Sequence, residues 1–136
     1  MARFDKYEPH VGGFRARLNA DWLDADVGKI IAVSLNANGR IVKGNPAGSS
    51  GLKGVVALGM ARKAGHPVDV MQFGEILDVV DDDVAGTLGA GLNVFALGTT
   101  SAGTLTLTAT SNVYVGHMVE IDRLVVRFAQ SITAGA

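Results

Sequence analysis

The chain of 136 residues contains no cysteine and only three prolines. Without cysteine it has neither a disulfide framework nor a thiolate metal site. Its formal net charge is -1 and no long basic run occurs, so the electrostatic footprint of a nucleic-acid-binding protein is absent. Apolar runs never reach the roughly 18 residues of a membrane span, so we expect no membrane segment. The mixed, charged N-terminus lacks the apolar stretch of a signal peptide.

Glycine, in contrast, is abundant. It accounts for 18 of the 136 residues, nearly twice the roughly 7% of average proteins. Hydrophobic residues make up 48% of the chain, which excludes a disordered polar polypeptide. The length suits one domain with a real core. Together these features predict many short strands joined by tight turns.

Several segments have the pattern of strands. "KIIAVSL" and "RIVKG" flank "NANG", whose Asn and Gly suit a hairpin turn. "GVVALGMAR" resembles a strand buried on both faces, and in "VDVMQ" the residues Val68 and Val70 alternate with Asp69 and Met71. No segment carries a helical stripe of three turns. We therefore predict an all-β fold, a small single-domain β-barrel or β-sandwich.

The stretch "GTLTLTATSNVYVGHMVEIDRLVVRF" gives the strongest strand pattern. Leu105 and Leu107 are expected to be buried, with the alternate threonines, Thr106 among them, on the opposite face, towards solvent or a neighbouring subunit. Two further sets are predicted to share a face, namely Val113, Val115, His117, Val119 and Ile121, and then Leu124, Val126 and Phe128.

We divide the chain into an extended N-terminal arm at residues 1–21, a β-rich domain at 22–130 and a C-terminal tail at 131–136. The arm has aromatic and basic side chains but no apolar period of 2 or 3.6. It is predicted to lack a core of its own.

Candidate catalytic and metal-binding residues do not form a recognisable pattern. Asp81 to Asp83 are consecutive and lack the alternating spacing of a calcium loop. His10, His66 and His117 lack a zinc spacing, and the serines of "AGSSG" do not form a nucleophile elbow. We therefore expect a protein that is not an enzyme and has no cofactor and no metal.

Three segments resemble the capsid decoration proteins of tailed bacteriophages. They are "VGKIIAVSLNANGRIVKG", "GVVALGMARKAGHPVDVMQFGEI" and "NVFALGTTSAGTLTLTATSNVYVGHMVEIDRLVVRF". The resemblance implies a homotrimer on the outside of the virion capsid, made in the host cytoplasm, that binds the major capsid protein at local three-fold positions and stabilises the head. It implies no catalysis or cofactor, and no nucleic-acid or membrane partner.

Within this interpretation the arm is the predicted capsid-binding segment. Its candidate contact residues are Arg3, Phe4, Tyr7, Phe14, Arg15 and Arg17. A second interpretation is a tail or fibre accessory β-module. A third is a lipoyl- or biotinyl-carrier-like domain, in which Lys63 would be the modified residue, although it precedes the turn "AGHP" rather than standing in a matching motif.

Overall fold

The computed structural model describes residues 12–77, 79, 84–97, 102–109 and 112–128. A short 3₁₀ turn, Asp24–Asp26, lies between the first two strands. The strands of these residues are β1 (Gly13–Arg17), β2 (Ile31–Leu35), β3 (Ile41–Lys43), β4 (Leu52–Val56), β5 (Pro67–Met71), β6 (Phe73–Ile76), β7 (Val84–Ala85), β8 (Asn93–Leu97), β9 (Leu105–Thr106), β10 (Asn112–Glu120) and β11 (Arg123–Arg127).

The first sheet has the strand order β1-β5-β4-β2-β3, and it closes on itself only through an isolated bridge. Leu18, directly after β1, donates its N–H to the carbonyl of His66 at 3.0 Å and forms a parallel bridge with Ile41 of β3. This bridge joins the first strand of the sheet to the last. The closed sheet surrounds an inner cluster made of Leu18, Trp22, Ile31, Val33, Ile41, Val56, Val68 and Val70.

The second sheet has the order β6-β11-β10-β8-β9-β7. Its neighbouring strands are antiparallel except β7 and β9, which run parallel. Ala32, Leu52 and Val55 of the first sheet pack against Val94, Leu105, Val115, Met118, Leu124 and Val126 of the second, forming an inter-sheet core. The predicted all-β fold is confirmed, since the described residues form two packed sheets and contain no α-helix.

The turn between β2 and β3 forms as the sequence predicts. The side-chain oxygen of Asn36 accepts the N–H groups of Asn38 and Arg40 at 2.9 and 3.0 Å. Gly39 has a φ of 76°, a conformation that glycine adopts without strain. The asparagine and glycine thus satisfy the turn locally, which is why the pattern was informative.

Part of the predicted arm is instead a strand of the domain. β1 pairs with β5 from Gly13 opposite Met71 to Arg17 opposite Pro67, and Leu18 is 1% exposed. The prediction is therefore wrong from Gly13 to Leu18, because the strand is short and finds its partner about fifty positions along the chain. Residues 1–11, like the predicted tail at 131–136, lie outside the described residues.

The threonine-rich segment is less regular than predicted. Leu105 is fully buried, as expected, but Leu107 is only half-buried and the strand β9 contains just two residues. The expected exposure of Thr106 is wrong, since that residue is 6% exposed. Its hydroxyl accepts the N–H of Thr108 at 3.2 Å, a local bond that competes with continued strand pairing.

β10 also departs from the predicted alternation. Its pairing shifts register between Tyr114 and Gly116 and again between Met118 and Glu120. Each irregularity moves the following side chains to the other face. After the first shift Met118 is buried, and Ile121 is 65% exposed because it lies in the turn that follows β10. The predicted shared face is therefore wrong beyond the first shift. The face of Leu124, Val126 and Phe128 is confirmed, since all three are buried.

Candidate functional site

An open groove of about 710 Å³ lies between the two sheets, where strand β1 of one approaches strand β6 of the other. One wall is formed by β1 and β5, including Phe14, Arg15 and Asp69, and the opposite wall by Phe73 to Leu77. Gly12 lies at the mouth of the groove, close to the backbone of Phe73. A Cβ added to Gly12 would lie 2.8 Å from the carbonyl oxygen of Phe73.

The β6 wall is unusually apolar for a surface strand. Phe73 is 51% exposed and Leu77 is 65% exposed, with the exposed Glu75 between them. Ile76 faces the other way and packs against the inter-sheet core. Exposed apolar side chains on an edge strand are a feature of interaction surfaces and of strand addition.

The β1 wall carries a surface ion pair. Nε of Arg15 lies 2.9 Å from Oδ1 of Asp69, directly across the two paired strands. This hydrogen bond, followed by the charge of Asp69, raises the pKa of Arg15. Both side chains are largely exposed, so solvent and salt screen the pair and it adds little to stability. It leaves two charges of opposite sign at the rim of the groove.

The predicted capsid-binding residues divide into three sets. Arg3, Phe4 and Tyr7 lie outside the described residues. Phe14 is half-buried against the inner cluster of its own domain. Arg15 and Arg17 project from the opposite face of β1, where the guanidinium of Arg17 donates to the carbonyl of Gly65 at 2.9 Å.

A charged cluster lies at the far end of the β6 wall. Arg123 of β11 donates to Glu75 at 3.3 Å and to Glu120 at 2.9 Å. The exposed Ile121 is in the turn that follows Glu120. The groove therefore ends near a surface that combines an apolar side chain with a bridged arginine.

The turn that follows β4 carries the residue of the carrier hypothesis. Lys63 has a side chain that is 92% exposed, and its Nζ lies 3.6 Å from Oδ2 of Asp21. Oδ1 of the same aspartate accepts the N–H of Ala64 at 2.8 Å. This backbone hydrogen bond is the main cause of the lowered pKa of Asp21, to which the charge of Lys63 adds.

The serines of the "AGSSG" loop have structural contacts. The hydroxyl of Ser49 donates to the side-chain oxygen of Asn45 at 2.7 Å, and Oγ of Ser50 accepts the N–H of Leu35 at 3.0 Å. Of the histidines, His66 is exposed and His117 lies 3.4 Å from the hydroxyl of Tyr114. Asp81 to Asp83 lie outside the described residues, among which no group of three potential metal ligands occurs. Nor does any helix in the described part of the chain have the length and apolarity to cross a membrane.

The fold is similar to that of a protein chain from Mycobacterium phage Patience. The TM-score is 0.70, with 22% sequence identity over 96% of this chain and 97% of that chain. At this identity the likeness establishes a shared fold that extends over nearly the whole of both chains. No family model matches the sequence, and no curated protein matches it.

The β6 wall does not stand out in the sequence as a candidate site. The relevant pattern was present in "FGEIL", where Phe73, Glu75 and Leu77 alternate with Gly74 and Ile76. A period of two indicates one exposed and one buried face. However, it does not show that the strand lies at the edge of its sheet, and edge position is what makes the exposed side chains and backbone accessible together.

Proposed function

We propose that this chain is a non-enzymatic structural protein of a phage virion, which binds the outer surface of the capsid and stabilises the head. Its partners are then the major capsid protein and further copies of the chain, assembled as a trimer at local three-fold positions. The observation that carries the proposal is the fold shared with a phage protein over almost the full length of both chains. The sequence resemblance to decoration proteins points in the same direction.

The surface around the groove supports an interaction role. Phe73 and Leu77 expose apolar area on an edge strand, and Arg15 and Arg17 add basic groups on the neighbouring β1. Exposed apolar area rimmed by charge is a feature of protein-binding surfaces. Because Phe14 packs against its own domain, we leave it out of the capsid contact.

The N-terminal segment is the second part of the proposed contact. It carries Arg3, Phe4 and Tyr7, and eleven residues precede the first described one. Fully extended, eleven residues reach at most roughly 40 Å. That reach suffices for aromatic and basic side chains to bind a neighbouring capsid subunit.

The experiment is a binding assay with purified phage heads that lack the protein. The intact chain is expected to co-sediment with heads and to raise the temperature at which they disrupt. Deletion of residues 1–7 removes Arg3, Phe4 and Tyr7 but leaves β1 and Gly12 in place, so the domain should stay folded while binding weakens. Arg15→Ala with Arg17→Ala tests the β1 contribution separately.

Three outcomes would contradict the proposal. Binding of the intact chain to tails and not to heads would support the tail or fibre alternative. A mass increase at Lys63 in protein purified from its natural source would support the carrier alternative. Light scattering that gives a dimer both in solution and on heads would refute the trimer, whereas a trimer in either setting supports it.

A further inference from the structure

The turn between β10 and β11 carries an exposed apolar side chain between two acids. Ile121 and Asp122 form this turn, and Glu120 directly precedes it, opposite Arg123. Ile121 is 65% exposed, and both acids are exposed as well. The carbonyl of Asp122 accepts the N–H of Val79 at 2.9 Å, which holds the turn in place. The turn therefore presents an apolar side chain, flanked by negative charge, in a defined position.

Other exposed apolar side chains lie around this turn. The turn stands at the end of the second sheet where β6 and β10 end and where β8 and β11 begin. Seven large apolar side chains are clearly exposed in the described part of the chain, and four of them lie at this end of the sheet, namely Leu77, Leu92, Val119 and Ile121. These four residues form the turn patch. Exposed apolar area rimmed by charge is a feature of protein-binding surfaces.

A pocket of about 230 Å³ lies between residues 21–24 and residues 61–63. The backbones of Trp22 and Arg62 hold these segments together through two hydrogen bonds, with N···O distances of 2.7 and 3.0 Å. Trp22 lines the pocket and belongs to the inner cluster, so packing fixes its position. Two more of the seven exposed apolar side chains adjoin the pocket, namely Leu23 and Met60. The pocket is therefore a preformed recess with an apolar border.

The charges that line the pocket leave one base without an ion pair. The lining contains two acids, Asp21 and Asp24, and two bases, Arg62 and Lys63. Nζ of Lys63 lies 3.6 Å from Oδ2 of Asp21. The guanidinium of Arg62 has no ion pair with any residue that the structure describes. Arg62 is thus available to an acid that approaches the pocket.

The turn supplies such an acid. Glu120 is paired with Arg123 at 2.9 Å, whereas Asp122 has no ion pair within the described ranges. Asp122 stands directly beside Ile121, as Arg62 stands beside the pocket. Because Ile121 is 65% exposed, it does not fill the pocket of its own chain. The complementary surfaces are thus suited to a contact between two copies.

We propose that the β10–β11 turn of one copy inserts Ile121 into the pocket beside Trp22 of a second copy, with Asp122 paired to Arg62. Burial of the isoleucine side chain and of the surrounding apolar residues favours the contact, and the opposite charges fix its orientation. The two surfaces differ, so the contact is heterologous and successive copies form a closed ring when the rotation permits. The closure at three copies rests on the proposed function, whereas the contact itself does not.

Disulfide formation between two single-cysteine proteins tests the contact, since the chain has no cysteine of its own. One protein carries Ile121→Cys, and the other carries Ala61→Cys in the lining of the pocket. Both positions are exposed, so the Tm of each variant should match that of the unmodified protein. Mild oxidation of the mixture, in solution and on heads, is expected to give the mixed dimer as the main disulfide product, identified by its mass. Phe73→Cys, outside the turn patch and 51% exposed, is the matched control in place of Ile121→Cys and should give little mixed dimer.

Charge reversal on the same two proteins tests the ion pair. Asp122→Arg added to the Ile121→Cys protein, or Arg62→Asp added to the Ala61→Cys protein, places like charges opposite each other. Either change should lower the rate of mixed-dimer formation at least about tenfold. Mixing the two charge-reversed proteins restores opposite charges, so the rate should return to within about threefold of the starting value. Equal rates in all four mixtures would contradict the proposed pairing.

The remaining outcomes separate this contact from the proposed function. A dimer of the Ile121→Cys protein with itself as the main product would show that two turns face each other and would overturn the proposal. Absence of the mixed dimer both in solution and on heads would also overturn it, while head binding by the intact chain would leave the proposed function standing. A mixed dimer in solution without head binding would support the contact and count against the proposed function alone.

Discussion

Replacing Leu18 with alanine tests whether the first sheet closes through this residue. Leu18 is 1% exposed, belongs to the inner cluster and bridges Ile41. The change removes three buried carbons, about 2.4 kcal/mol at roughly 0.8 kcal/mol each. The residual cavity raises the expected loss in free energy of unfolding to about 3–5 kcal/mol. The backbone hydrogen bonds remain, so the loss reports side-chain packing.

The assay is urea unfolding together with calorimetry. At roughly 3–5 °C per kcal/mol for a domain of this size, Tm should fall by about 10–20 °C. Leu23→Ala is the matched control, because Leu23 is 57% exposed in the same segment, and its Tm should change little. Equal and small decreases in Tm for Leu18→Ala and Leu23→Ala would refute the closed sheet. They would restore the interpretation of residues 13–18 as part of a free arm.

Three further predictions concern other parts of the fold. Gly13→Ala should lower the free energy of unfolding in urea by about 1–3 kcal/mol or more, because a Cβ at this position would lie 1.9 Å from a backbone oxygen. Gly59→Ala is the control, since a Cβ at Gly59 would meet open space. Equal stability of the two variants would show that β1 does not pack as described. Thr106→Val should lower the free energy of unfolding by about 1 kcal/mol, because it removes the hydroxyl that accepts the N–H of Thr108. An unchanged Tm would show that this hydrogen bond does not contribute to stability. Asp21→Asn should reduce stability at neutral pH. Because the pKa of Asp21 is lowered in the folded protein, its contribution to stability is fully present at pH values above the pKa of the unfolded chain. That contribution is lost as the pH falls through the pKa of the folded protein. A stability difference between Asp21→Asn and the unmodified protein that persists at lower pH would contradict the lowered pKa.

Much of the strand content could be predicted because it depends on local patterns. Val68 and Val70 are buried while Asp69 is exposed, as their alternation predicts. The Asn36 turn is stabilised by groups within four residues of one another. A period of two and a side chain that satisfies nearby backbone are properties of a short segment, so they are readable without knowledge of the fold.

The candidate site was less predictable. The exposed side chains of Phe73, Glu75 and Leu77 follow from alternation, but their accessibility depends on the position of β6 at the end of its sheet. The sequence predicts that the contact residues Phe14 and Arg15 belong to one extended arm. Strand pairing places them on opposite faces of β1, where Phe14 packs against the inner cluster and Arg15 is exposed, although both residues line the groove.

The sequence by itself determined an all-β chain, with its turns and most of its buried faces, because alternation and turn chemistry act over a few residues. Only the tertiary structure decided that β1 pairs with β5 and that Leu18 closes the sheet on Ile41. It also decided where β10 shifts register between Tyr114 and Gly116. These features depend on partners far along the chain, whose packing outweighs the weak local preference of a five-residue strand.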